Sequence, residues 1–193
     1  SQLCSSASAA MASEEPYNSG IVIRWKDYKQ RIDGFGIAQA GWAKELFAFK
    51  NREQVMDKMF GKDGLRLNIL RGEIFPHYWE NETDKDFNLN DDIHIELSDS
   101  DFINKSDDLL RRGQLWLTLK AKNKYHISKL VFSTWSAPAW MKSNGKVSNG
   151  RLKTECYTDF ANYLAAFYNA YKSKGIAPYA ISPSNEPGYA AAW

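Results

Sequence analysis

The sequence has 193 residues, with 25 Lys and Arg against 23 Asp and Glu and a formal net charge of +2. That near-balance excludes the clustered basic surplus on which nucleic-acid binders rely, and no run of 18 apolar residues is present to cross a membrane. Apolar residues make up 44%, the share of an ordinary globular protein. Aromatic residues make up 14%, including seven tryptophans, which suits a large core or stacking on the apolar faces of sugar rings.

The first fifteen residues are small and polar. Ala10-Met11-Ala12 matches the pattern that precedes a signal-peptidase cut, so residues 1–19 read as a signal-peptide remnant or a disordered segment; the first reading implies a secreted protein. Cys4 and Cys156 support no disulfide framework, and His77, His94 and His126 are too scattered for a zinc site. No metal or cofactor is expected.

Two short β-rich runs, 21–25 and 28–32, predict a hairpin. The paired glycines of Gly34-Phe35-Gly36 predict a tight bend or a close backbone approach. Asn51 followed by Gln54 resembles a capping box; it opens a helical stripe of Val55, Met56, Met59 and Phe60 that Gly61 ends. Leu65 to Leu70 reads as a buried strand. Residues 72 to about 104 are acidic and aperiodic. A helix is expected over roughly 106–125, a strand over 129–134, and the best helix of the chain over about 155–174. In that helix Tyr157, Phe160, Ala161, Leu164, Phe167, Tyr168 and Tyr171 follow helical spacing, with Gly175 as the cap. Residues 179–182 form a last short strand. This alternation predicts an α/β fold with a parallel sheet and helices outside it. The lone Gly-x-Gly at Gly34 is no dinucleotide fingerprint.

In parallel α/β folds, function gathers at the carboxyl ends of the strands. Arg71, Glu73 and Trp79 follow the second expected strand, and Trp135 follows the third. Asn185-Glu186-Pro187 follows the fourth, with Tyr189 and Trp193 just beyond. Pro187 removes a backbone donor and disfavours the α region for Glu186, so the strand ends there and the carboxyl group has a fixed direction. Asn185 is then placed to bond a sugar hydroxyl while Glu186 protonates a glycosidic oxygen. Lys142 and its basic neighbours read as a solvated face.

Taken together, Ile32-Asp33-Gly34-Phe35-Gly36, Ile69-Leu70-Arg71, Trp135-Ser136-Ala137-Pro138-Ala139-Trp140-Met141-Lys142 and Tyr179 to Pro187 resemble the N-terminal half of a glycoside hydrolase family 30 enzyme. The resemblance implies the first half, strands 1–4, of a (β/α)8 TIM barrel over residues 33–193. Residues 20–32 would belong to a side β-sandwich. It further implies a retaining hydrolase of β-linked polysaccharide, with xylan favoured and β-1,6-glucan or β-1,6-galactan as alternatives. Glu186 is then the acid/base, its pKa raised by a negative partner and partial burial. The nucleophile lies after a seventh strand that this sequence does not reach. The same resemblance makes Arg71 a partner of the catalytic carboxylates, Trp135 a subsite floor and Asn185 a contact to the hydroxyl beside the anomeric carbon. Tyr189, Trp79 and Trp193 would line outer subsites. The full-length protein is expected to be a monomer that binds a polysaccharide or oligosaccharide. The competing reading is a non-catalytic carbohydrate-binding half-barrel.

Overall fold

The computed structural model describes residues 20, 23–39, 42–76 and 113–188. The chain divides into two units at Asp33. In the first, residues 23–33 hold a turn in which Asp27 N–H donates to Arg24 O at 3.1 Å, and they form no strand. The expected hairpin is therefore not made over these residues. Ile23, Trp25, Tyr28 and Ile32 are exposed, so the described residues of the two runs cover no apolar face, and a two-stranded ribbon has little stability alone.

The second unit begins at Gly34. Its elements are β1 (Gly36–Ala38), α1 (Ala43–Ala48), α2 (Arg52–Phe60), β2 (Ile69–Ile74), α3 (Gly113–Tyr125), β3 (Lys129–Thr134), α4 (Tyr157–Ser173) and β4 (Ala180–Ser182). The four strands form one sheet in chain order, every pair parallel. This is the expected α/β half-barrel topology, and among the described residues the sheet does not close. Gly36 makes the close approach its sequence context predicted: a Cβ there would lie 2.6 Å from Ile69 O.

The second strand starts four residues later than its apolar run suggests. Leu65 N–H and Leu67 N–H donate back to Lys58 O and Met59 O at the end of α2, so those residues close the helix and Leu65 stays exposed. Pairing begins where Ile69 meets Gly36. Arg71 and Glu73 thus lie within β2 rather than after it. The side chain of Asn51 makes no capping bond to α2, whose first turn is closed by Gln54 N–H on Asn51 O instead. The short α1 escaped the sequence reading because six residues carry too little periodicity.

The ring of Phe132 packs on Phe167 and Tyr171 of α4, with centroids 5.0 and 4.9 Å apart. Since side chains alternate along a strand, Leu70, Gly72, Ile74, Leu130 and Phe132 face the helices. Arg71, Glu73, Val131 and Ser133 face the other side, where Glu73 is paired in register with Ser133 and Ser133 with Ser182. The buried stripe of α4 is Tyr163, Phe167 and Tyr171. The stripe read from sequence holds Phe167 and Tyr171 with the half-buried Phe160, Leu164 and Tyr168, but it included the exposed Tyr157 and Ala161 and missed Tyr163, which is buried and donates its hydroxyl to Phe75 O. Gly175 has φ +81° and closes the helix as predicted.

Candidate active site

The carboxyl ends of β2, β3 and β4 carry the candidate residues. From β2 the guanidinium of Arg71 extends up the inner face and lies over the ring of Trp135, 4.5 Å from its centroid. Its Nη2 donates to Asn185 Oδ1 at 2.6 Å. Asn185 is held in turn by its own backbone N–H, which donates to Thr134 O at 2.7 Å and so extends the pairing of β3 with β4. A side chain within β2, one just after β3 and one beyond β4 therefore meet: a cation, an aromatic face and an amide. All three are half-buried, which strengthens the stack and the hydrogen bond relative to open water.

Glu186 follows directly. Its backbone has φ +45°, a left-handed conformation that costs a non-glycine residue about 1 kcal/mol. The following Pro187 adds its own restriction. The chain turns sharply out of the sheet at this residue, and the Glu186 side chain is exposed, not partly buried as expected. The reason is its place beyond the last residue of β4, the edge strand of the described sheet, where β4 spans three residues. Tyr189, Trp79 and Trp193 lie outside the described residues.

Two features were not legible as functional groups. Lys142 is 4% exposed, so the expected solvated face is wrong for it. Its ammonium donates to Ser136 Oγ at 2.9 Å and to Val147 O at 3.2 Å, and burial holds its pKa below the ordinary lysine value. It forms the inner strut of the excursion after β3, which an antiparallel bridge between Lys142 and Leu152 closes. The second feature is Gln114 at the start of α3, fully buried behind β2. Its Oε1 accepts from Glu73 N–H and its Nε2 donates to Glu73 O, each at 2.7 Å. The buried residues of α3 are Gly113, Gln114, Leu117, Thr118 and Ala121, and of these Gln114 and Thr118 are polar. No group of three or more metal-ligating side chains exists among the described residues, and no described helix is long and apolar enough to cross a membrane.

A parallel sheet in chain order with helices between its strands and polar groups gathered at its carboxyl ends defines a barrel-type α/β protein. The sequence matches the glycosyl hydrolase family 30 TIM-barrel domain over residues 32–192. The chain belongs to glycosyl hydrolase family 30. It is 28% identical to the lysosomal acid glucosylceramidase of Mus musculus over 173 residues, 82% of this chain and 31% of that protein. It is equally 28% identical to glucuronoxylanase XynC of Bacillus subtilis strain 168 over 181 residues, covering 91% of this chain and 34% of the relative. Among solved structures, the catalytic domain of a family 30 xylanase C from Talaromyces cellulolyticus superposes with a TM-score of 0.65 at 25% identity, covering 85% of this chain and 39% of that one. The SrfJ protein of Salmonella typhimurium gives 0.63 at 28%, covering 85% and 36%. The chain spans about a third of the length of the curated relatives it matches.

Proposed function

We propose that the protein is a retaining glycoside hydrolase of β-linked glycans, with Glu186 as acid/base and the nucleophilic carboxylate supplied by sequence beyond residue 193. The observation that carries this reading is the meeting of Arg71, Trp135 and Asn185 at the strand ends, immediately before Glu186. In the first half-reaction the nucleophile attacks the anomeric carbon while Glu186 gives its proton to the departing glycosidic oxygen. In the second, Glu186 takes a proton from water, whose oxygen displaces the nucleophile at the same carbon. Asn185 orients the neighbouring sugar hydroxyl, and Trp135 offers the flat apolar face on which a pyranose stacks.

Xylan is the preferred substrate of this proposal, on the Asn185-Glu186-Pro187-Gly188-Tyr189 run and on the xylanase relatives. β-1,6-Glucan is the next choice, since an endo-1,6-β-D-glucanase of Trichoderma harzianum is 28% identical over 191 residues. The test is to express the full-length protein and assay it on glucuronoxylan, β-1,6-glucan, β-1,6-galactan and glucosylceramide. The anomer first formed is then followed by proton NMR. Release of the retained anomer, with turnover reduced about 1,000-fold in Glu186→Gln, is the expected result. Full turnover in that variant, or an inverted first product, overturns the proposal.

A further inference from the structure

Strand β1 ends at Ala38, opposite Arg71. In a parallel sheet the N–H and C=O of one residue point to the same neighbour, and the N–H and C=O of the next point to the other. Arg71 O accepts from Gln39 N–H on the β1 side, so the N–H and C=O of Glu73, two residues on, face that side too, beyond the end of β1. Left there, they would be a buried donor and acceptor without strand partners, each costing about 1–3 kcal/mol. The side-chain amide of Gln114 fills the place of the missing peptide, accepting from Glu73 N–H and donating to Glu73 O at 2.7 Å each.

The amide is itself fixed. Gln114 Nε2 also donates to the Tyr171 hydroxyl at 3.0 Å. Thr118 Oγ1 donates to Gln114 O at 2.8 Å and accepts from Gln39 Nε2 at 3.0 Å. Gly72 makes room for it, since a Cβ there would lie 2.9 Å from Gln114 Oε1. One buried chain of hydrogen bonds thus links the residue after β1, α3, the end of β2 and α4. The chain pins Glu73, and Arg71 lies two residues earlier on the same inner face of β2.

We propose that Gln114 is a positioning residue of the active site: through the backbone of Glu73 it holds the end of β2 in the register that lets Arg71 reach Asn185 and Trp135 together. This inference rests on the hydrolase reading above. Misplacing a site by about 1 Å reduces turnover about 100-fold. Beyond Ala38, β2 pairs with β3 alone among the described strands, so a shift of Glu73 starts there and reaches Arg71 two residues back.

The test uses Gln114→Glu in the full-length protein. A protonated carboxyl at this position still donates to Glu73 O and accepts from Glu73 N–H; an ionised one sets two acceptors face to face. Among the described residues, the groups shown bonding residue 114 are the Tyr171 hydroxyl on α4, Thr118 on the next turn of α3, and the backbone of Glu73. The Glu73 carboxylate leaves the opposite face of β2, and α1 brings the backbone of Ala43 and Lys44 against Gly113. Burial raises such an acid above its usual value of about 4.3.

Turnover, KM and melting temperature are measured from about pH 4 to about pH 8 on the glycan that the parent cleaves. The variant's kcat is expected within about threefold of the parent at the acid end. It then falls about 100-fold toward the alkaline end, through a transition the parent lacks and with little change in KM. Gln114→Leu is expected to show the low kcat at every pH; if it does not fold, the glutamate variant carries the test. A Gln114→Glu enzyme whose melting temperature varies with pH while its kcat follows the parent overturns the positioning role. A parent inactive on every glycan overturns the hydrolase reading, and this inference with it.

Discussion

Arg71 donates from Nη2 to Asn185 Oδ1 at 2.6 Å, joining the second strand to the residue beyond the fourth across the width of the third. Because an arginine has donors and no acceptor, this bond decides which way the Asn185 amide faces. Oδ1 is spent on the guanidinium, which leaves the NH2 group as the donor. Under the proposed function that group bonds a sugar hydroxyl oxygen.

Asn185→Asp tests that polarity. An aspartate keeps an acceptor for Arg71 but offers no donor to the ligand. In the full-length enzyme kcat/KM is expected to fall about 100-fold, with the melting temperature unchanged or higher, since a charged acceptor pairs better with Arg71. Steady-state kinetics and a thermal melt check both halves. Parental kcat/KM would show that the Asn185 amide donates nothing to substrate.

Arg71→Lys is not a conservative change here. The guanidinium lies over the Trp135 ring and bonds Asn185 at the same time, whereas an ammonium is a compact point charge without the arginine's fork. The loss of the stack is about 0.5–2 kcal/mol, and both Trp135 and Asn185 lose their tether. The expected result is a fall in kcat/KM of at least about tenfold. Trp135→Phe, which leaves a ring for Arg71, is expected to lose less than Trp135→Ala. Equal losses in the two variants would remove the cation–ring contact from the account.

Gly113→Ala sets helix propensity against packing. In a helix interior alanine gains about 1 kcal/mol over glycine; Gly113 is the first described residue of α3, so that figure is the most propensity alone can add there. A Cβ at Gly113 would lie 2.2 Å from Lys44 N and 2.4 Å from Ala43 C, both backbone atoms of α1 that cannot rotate away. Overpacking of this kind costs about 1–3 kcal/mol. Packing therefore wins, and urea denaturation should show a net loss. A gain would mean that α1 and α3 separate easily.

That glycine marks where the sequence could be read and where it could not. Gly113 looked like a weakness in a helix, because sequence shows the helix and not the neighbour pressed against it. The order of strands and helices was legible, since each long element carries its own period. The start of β2 was not, because Leu65 and Leu67 are as apolar as a strand but spend their N–H groups closing α2. Asn185, Glu186, Trp135 and Arg71 were legible as candidates because they lie near the ends of expected strands, and three of them, Arg71, Trp135 and Asn185, do meet. Gln114 and Lys142 were not, because a buried polar side chain declares itself only through what surrounds it. The hairpin expected over 21–32 rests on local propensity, which counts for little where, as over the described residues 23–32, the apolar side chains are exposed.

Lys142 gives the last prediction, and its sign follows from burial. Its ammonium is almost fully enclosed and rests on Ser136 Oγ and Val147 O, with no ion pair to a carboxylate among the described residues. Its folded-state pKa therefore lies below the ordinary lysine value, which is about 10.4 in the unfolded chain. Between the two values the unfolded chain binds more protons than the folded one, so the parent gains stability as pH rises through that window. Below the folded pKa the whole cost of the enclosed charge is present. Lys142→Met keeps similar length and volume without a titrating group. The stability of the variant minus that of the parent is therefore expected to shift in the parent's favour between about pH 7 and about pH 10. Tyrosines that ionise near the upper limit act on both proteins and cancel in the difference. Urea denaturation of both proteins at the two pH values measures it. Curves that stay parallel would mean that the lysine is no harder to protonate when folded than when unfolded, and that the excursion after β3 is held by its backbone bonds instead.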